Sequence, residues 1–397
     1  MSEWKKVKLG DYCLKIGSGS TPKGGSTVYV ESGTSFIRSQ NVYNLSFDYN
    51  GLTHITEEAA NKLKGVTVFD EDILLNITGD SVARTCIVPN DVLPARVNQH
   101  VAIVRVDRKK MNGRFLNYYL ASPRMQAYML SLAVGKGASR NAMTKQMIEN
   151  FEVPCPPLDT QQRIATILSR YDSLIENYQK QIKLLEESAQ RLYKEWFIDL
   201  RFPGHENTKI VDGVPEGWEK TKITELVNVQ YGYAFDGKLF NSNSEGMPIL
   251  RIRNIPDGIT SDYTTEEAQD CYIVHNGDIV VGMDGIFHIN SWSGGDAYLV
   301  QRACSFRPKE ECMKGFIFQA IQEPIKFFEK TLVGATVAHL GKKHIDSIEI
   351  LVPNRKELFK SLQDIFNQRQ NMLYQIRHLT EARDRLLPKL MSGEIEV

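Results

Sequence analysis

Several short polar stretches of this chain carry side chains that suit hydrogen bonding to the edges of nucleic-acid bases. In the first half they are "RSQN" (Arg38, Gln40, Asn41), "NQH" (Asn98, Gln99) and "GKGASRN" (Lys136, Ser139, Arg140, Asn141). In the second half Arg251, Arg253, Asn254, Gln301, Arg302, Lys342 and Lys343 stand at or near matching places. Arg and Lys match the O6 and N7 acceptors of guanine, while Asn and Gln match the N6/N7 edge of adenine. A second reading competes with this one. "RSQN" recurs as "RIRN", and whatever recurs in both halves can be structural, since unlike base sequences demand unlike readers.

Catalytic chemistry is harder to find. The sequence has no Asp/Asn-Pro-Pro-Tyr/Phe stretch of the adenine-methyltransferase kind, no G-x-x-x-x-G-K-[ST] phosphate loop and no acidic cluster at metal-ligand spacing. The glycine-rich "GSGSTPKGG" (17–25) reads as a surface loop, because its lysine is misplaced for phosphate and no long helix clearly follows. His339 and His344 are five residues apart, a spacing that suits no common ligand pair, so both read as core or surface residues. Six cysteines (Cys13, Cys86, Cys155, Cys271, Cys304, Cys312) include no C-x-x-C pair and read as reduced, buried thiols. A self-contained enzyme is the rival class, but nothing supplies its nucleophile or metal. No cofactor is expected.

The elements that must position the polar loops are written twice. Trp4 in "EWKKVKLGDY" returns as Trp218 in "GWEKTKITEL". "FIRSQNV" (36–42) returns as "ILRIRNI" (249–255), and "DILLNITGD" (72–80) as "DIVVGMDGI" (278–286). "VNQHVAIVR" (97–105) resembles "LVQRACSFR" (299–307), "FLNYYLASP" (115–123) matches "FIFQAIQEP" (316–324), and "ENFEVPCP" (149–156) matches "IEILVPNR" (348–355). Ordered matches of this kind mark a duplication. Each half opens with short β-rich runs, Gly/Pro/Asn turns and a few helices, an α+β domain. The boundaries expected are a first globular domain over 1–157, a helix over 158–200, a second globular domain over 201–355 and a second helix over 356–397.

Both helices carry a strict seam. Ile164, Leu168, Tyr171, Ile175, Tyr178, Ile182 and Leu185 fall in alternating steps of four and three, and Ala189, Leu192 and Trp196 continue the series. Leu358, Leu362, Ile365, Met372, Ile376 and Leu379 hold the same register in the second copy, with Arg369 and Arg383 at two positions where apolar residues are missing. A sustained 3.5-residue repeat marks a coiled-coil seam, and apolar neighbours such as Ile167, Leu174 and Phe366 widen the stripe. Pairing between two copies of the chain would bury it, but the matched register favours the two helices of one chain packing on each other. Antiparallel helices, each roughly 50 Å long at 1.5 Å per residue, are expected to separate two globular domains related by a pseudo-two-fold axis. The prolines of "PCPPLDTQQRIATIL" (154–168) end the last strand of the first domain, and Asp159 with Gln162 reads as a capping box that starts the helix.

Composition fits a soluble protein. Hydrophobic residues make up 42% of the 397 and charged residues 24%, too apolar for a disordered chain. The sequence shows no apolar run long enough to span a membrane and no signal-peptide core at its start, so cytoplasmic residence and no membrane contact are expected. A net charge of zero hides an asymmetry: residues 1–157 hold 19 Lys and Arg against 14 Asp and Glu, while 201–355 hold 16 against 21. A protein binding DNA alone is usually basic throughout, so a partner is expected to supply much of the phosphate neutralisation.

Duplicated globular domains, each followed by a long helix, with "PPLDTQQRIATIL", "DSLIENYQKQIKLLEE", the openings at Trp4 and Trp218, "GSGSTP" (17–22), the "SRNAMTK" stretch (139–145) and "LLPKLMSGEI" near the C-terminus, resemble the specificity subunit of type I restriction-modification systems. The second copy, "VPNRKELFKSL", lacks the double proline and the glutamine. The resemblance implies two target-recognition domains, each reading one half of a bipartite site on double-stranded DNA. It also implies helices that set the spacing and dock two methyltransferase subunits, translocase/restriction subunits in the full complex, and no catalysis by the chain itself. A coiled-coil scaffold flanked by two α+β modules, without DNA specificity, is the alternative.

Overall fold

The computed structural model describes residues 4–134, 142–331 and 338–397. The chain divides into two compact units, Met1–Leu174 with Leu379–Val397, and Ile175–His378. Each therefore joins a globular part to segments of both long helices.

In the first unit a four-stranded antiparallel sheet has the order Thr85–Ile87, Ile73–Asn76, Val101–Val106, Cys13–Ser18. A five-stranded sheet runs Tyr29–Val30, Thr53–Ile55, Thr34–Ile37, Ala95–Val97, Thr67–Val68, with one parallel pair between Thr34–Ile37 and Ala95–Val97. Successive side chains of a strand point to opposite faces. Ile73, Leu75, Ala102 and Val104 accordingly pack with Phe115 and Leu116 of the helix Gly113–Ala121, with Met125 and Met129 of the helix Pro123–Ala133, and with Ile164, Leu168, Leu387 and Leu390 of the long helices. Leu74, Val101 and Ile103 point the other way and pack with Ile37 and Val97 of the five-stranded sheet. Burial on both faces is why "DILLNI" and "HVAIVRV" read as almost unbroken apolar runs.

The second unit repeats this plan strand for strand. Its four-stranded sheet runs Ile289–Ser291, Ile279–Gly282, Ala303–Pro308, Val227–Tyr231, and its five-stranded sheet Phe240–Asn241, Tyr263–Thr264, Met247–Leu250, Ala297–Leu299, Ile273–Val274. Met247–Leu250 and Ala297–Leu299 form the parallel pair here. In each unit a two-stranded ribbon ties the start of the globular part to its end, Lys6–Lys8 with Glu152–Pro154 and Trp218–Lys222 with Glu349–Pro353.

The long helices span Leu158–Tyr193, prolonged by a π-helical turn over Lys194–Ile198, and Lys360–Ser392. The first begins at Leu158, which places Asp159 inside the first turn and corrects the capping-box expectation. Gln161 secures this start instead. It is fully buried, its Nε2 donates to the Pro156 carbonyl (2.8 Å) and its Oε1 accepts from the Asn112 amide (2.8 Å), while Gln162 Oε1 accepts from Asn112 Nδ2 (2.7 Å). Along the seam Leu168, Ile175, Ile182 and Ala189, seven residues apart, are buried, and Tyr171, Tyr178 and Leu185 are half-buried. Leu358 and Leu362 are buried and Ile365, Met372, Ile376 and Leu379 half-buried. Among the described residues no helix is long and apolar enough to cross a membrane. The expectation of uniformly buried thiols is corrected: Cys86 and Cys304 are buried, but Cys271 and Cys312 are exposed.

Candidate nucleic-acid interface

Each globular part builds the same loop corner at one end of its four-stranded sheet. In the first, the backbone amide of Ile77 donates to the His100 carbonyl (2.9 Å), that of Met143 to Ile77 (2.8 Å), and that of Ser20 to Val97 (3.0 Å). In the second, Met283 donates to Arg302 (2.8 Å), Leu340 to Met283 (2.7 Å) and Tyr233 to Leu299 (2.9 Å). The "GSGSTP" loop enters here through Gly19, where a Cβ would lie 2.0 Å from the Val97 carbonyl oxygen; at Gly232 it would lie 2.2 Å from that of Val300. Real Cβ atoms do not approach so closely, so only glycine lets the backbone cross at either place.

On this shared frame the side chains differ. The corner of the first unit pairs Thr78 Oγ1 with His100 Nδ1 (2.6 Å), with Gln99 Nε2 3.3 Å from His100 Nε2 and Thr21 bonded to Gln99 Oε1. Thr78 bridges to Ala142. In the second unit the place of Thr78 is taken by Asp284, which accepts from Arg302 Nη1 (2.7 Å) and from His339 Nδ1 (2.6 Å) and bridges to His339. Gln99, Gln301 and Arg302 are exposed, and Lys342 and Lys343 open the short helix Lys342–Asp346 with both side chains exposed.

The remaining sequence candidates divide by burial. Asn98 is buried, and its Oδ1 accepts from the His100 amide (3.1 Å), so it shapes the corner. Asn41 is fully buried, accepts from the Arg38 amide (3.0 Å) and donates to the Asp48 (2.9 Å) and Asn50 (3.3 Å) carbonyls. Asn254 likewise accepts from the Arg251 amide (2.9 Å). The recurrence of "RSQN" as "RIRN" thus reflects one turn built twice around an asparagine. Arg38 Nη2 and Gln40 Nε2 donate to the Gly51 carbonyl (2.7 and 3.4 Å), Arg251 stacks over Phe240 (5.4 Å), and exposed Arg253 pairs with Asp262 (2.6 Å). Lys136, Ser139, Arg140 and Asn141 lie outside the described residues. Sequence reasoning missed Thr78 and Asp284, and read His339 as a core or surface residue without its carboxylate partner. The first two occupy the same place in "DILLNITGD" and "DIVVGMDGI", the signal that could have found them.

A family model described as the type I restriction modification DNA specificity domain matches residues 1–187 and 215–376. The chain belongs to that family. The match falls on both halves, as the repeated sheets and corners require. A specificity subunit of a type I restriction enzyme from Methanocaldococcus jannaschii, MjaIX, is 25% identical over an alignment that covers 100% of this chain and 94% of that one. The HindI specificity subunit of Haemophilus influenzae is 21% identical, with both chains covered in full. The crystal structure of a type I restriction-modification S subunit from M. genitalium superimposes with a TM-score of 0.58 at 16% identity, covering 98% of this chain and 96% of that one, which shows a common fold.

In this member of the specificity family, the two arginines that interrupt the second helix's seam each find a carboxylate. Within the first unit Arg383 Nη1 donates to Asp172 Oδ1 (2.7 Å), and Asp172 also accepts from the Tyr118 hydroxyl. Burial first, and the Asp172 charge second, push the Tyr118 phenol well above its ordinary value. Within the second unit buried Arg369 donates through Nε to Glu186 Oε1 (2.7 Å), through Nη2 to Asn290 Oδ1 (2.8 Å) and through Nη1 to Ser291 Oγ. Each arginine therefore ties a long helix to a carboxylate of the other, and Arg369 also ties it to a strand of the four-stranded sheet.

Proposed function

We propose that this chain is the DNA sequence-recognition subunit of a type I restriction-modification complex, each globular part reading one half of a bipartite site on double-stranded DNA. The observation that carries the reading is the duplicated corner: one backbone frame appears in both halves of a specificity-family chain, with unlike side chains mounted on it. Unlike readers on like frames are what an asymmetric two-part site needs. Exposed Gln99, Gln301, Arg302, Lys342 and Lys343 are the side chains proposed to meet DNA, with Arg38, Gln40, Arg251 and Arg253 beside them.

The long helices are proposed to pair antiparallel, to set the spacing between the half-sites, and to dock two methyltransferase subunits along the widened seam. Support comes from each unit taken alone. In the first, Asp172 meets Arg383 while the earlier Ile164 and Leu168 cluster with the later Leu387 and Leu390. In the second, Glu186 meets Arg369 while the later Ala189 clusters with the earlier Leu358 and Leu362. The reading assigns catalysis to partner subunits, assigns no cofactor to this chain, and places it in the cytoplasm. A coiled-coil scaffold without DNA specificity is not favoured, since the family match covers both halves. Co-expression with its methyltransferase partner, followed by sequencing of methylated bases in host DNA with and without this gene, tests the proposal. Two short methylated blocks flanking an unread spacer are expected only when the gene is present; an unchanged pattern would overturn it.

A further inference from the structure

We infer that Arg302, oriented by Asp284, is a specificity-determining side chain of the second domain and that the base it takes is a guanine. The inference deepens the DNA-recognition reading and rests on it.

Arg302 sits where the loop after Ala297–Leu299 turns into Ala303–Pro308, with φ at +70°. A non-glycine residue is held there against a steric cost, and such strain clusters where a side chain is needed in one orientation. Its side chain is 68% exposed, while that of Asp284 is 15% exposed. The carboxylate is fixed from two sides, by Arg302 Nη1 on one oxygen and His339 Nδ1 on the other. With Nη1 so engaged, the Nε–Nη2 edge of the guanidinium remains for a second planar partner. Two parallel N–H donors match guanine O6 and N7.

A phosphate contact is the competing use of an exposed arginine, and Asp284 disfavours it. The carboxylate offsets the arginine's charge and repels a phosphate nearby, whereas the neutral acceptors of guanine gain an oriented donor pair without that repulsion. The matching corner of the first domain strengthens the argument. There the same backbone bonds hold His100 against Thr78, so position is kept and chemistry changed. A purely structural pair would not need to change its chemistry between two copies of one frame.

The test compares the whole complex, this chain with its methyltransferase subunits, carrying Arg302→Ala, Arg302→Lys or Asp284→Asn against wild type. Each complex methylates a randomised DNA library that is then sequenced. Arg302→Ala is expected to relax one guanine position in one block by roughly five- to hundred-fold, the span of a good bidentate pair. Arg302→Lys and Asp284→Asn should relax the same position partly, leaving the other block and the spacer unchanged. Uniform weakening on all sequences with a shallower salt dependence would make Arg302 a phosphate contact and overturn the inference, as would an unaltered consensus. If the wild-type complex itself yields no two-block consensus, the recognition reading fails first, whatever Arg302 does.

Discussion

Replacing Arg369 with methionine probes how the second globular part is fastened to its helices. Arg369 is 7% exposed and donates to Glu186, Asn290 and Ser291, whereas the Glu186 side chain is 38% exposed. A buried pair broken by removing one partner costs about 3–5 kcal/mol, and an exposed pair about 0–1. The two substitutions are therefore unequal. Arg369→Met leaves the buried Ser291 hydroxyl without its partner, at about 1–3 kcal/mol, and removes a charge-assisted bond of about 1.5–3 kcal/mol from Asn290, whose Oδ1 keeps the Ser291 amide (2.8 Å); no longer desolvating a guanidinium recovers part of that. A net loss of about 3 kcal/mol is expected, or roughly 6–12 °C in melting temperature for a unit of about 200 residues. Glu186→Ala leaves the buried Arg369 charge with only its two neutral partners, but the place it vacates is 38% exposed and admits water to the guanidinium, so the cost should be about 1–2 kcal/mol. Denaturant melts of both single variants and the double variant measure these values and their coupling, and hydrogen exchange at Ile289–Ser291 reports the loss locally. If Glu186→Ala cost as much as Arg369→Met, the neutral acceptors would contribute little and the clamp would be an ordinary ion pair.

Three further outcomes follow from the same structure. Replacing Tyr178, Ile182 and Leu185 together with charged residues should abolish co-purification of the methyltransferase subunits; retention of the complex would count against docking on this seam. The raised phenol of Tyr118 contributes stability that is fully present below its unfolded value near pH 10 and is lost as pH climbs toward the higher folded value. Wild type should thus lose stability above about pH 10 more steeply than Tyr118→Phe, as seen in urea melts at pH 9 and 11. A thiol reagent at pH 8 should modify exposed Cys271 and Cys312 first, while Cys86, buried and pushed up to about 12 chiefly by burial, and Cys304, raised by burial, react only on unfolding; equal rates at all four would refute the burial argument.

What the sequence determined by itself is what local periodicity encodes. Both heptad seams could be read because each depends on residues a few positions apart, the β-rich runs because they are contiguous, and the duplication because the same short motifs return in the same order in the second half. Arg369 and Arg383 even showed as gaps in the repeat, but the carboxylates that fill those gaps lie on the other helix, and packing alone chose Glu186 and Asp172. Burial was equally hidden. Asn41 and Asn254 share composition with base readers, yet each side chain holds a turn, Asn41 fully buried and Asn254 half-buried, while Gln99 and Arg302 are left outside. The contacts within the corner were hidden for the same reason, although Thr78 and Asp284 share one place in the repeat. Asp284 stands 18 residues from Arg302 and 55 from His339, and only the crossing of strands and loops brings the three together. Periodicity is a property of neighbours along the chain, whereas a site is a property of neighbours in space.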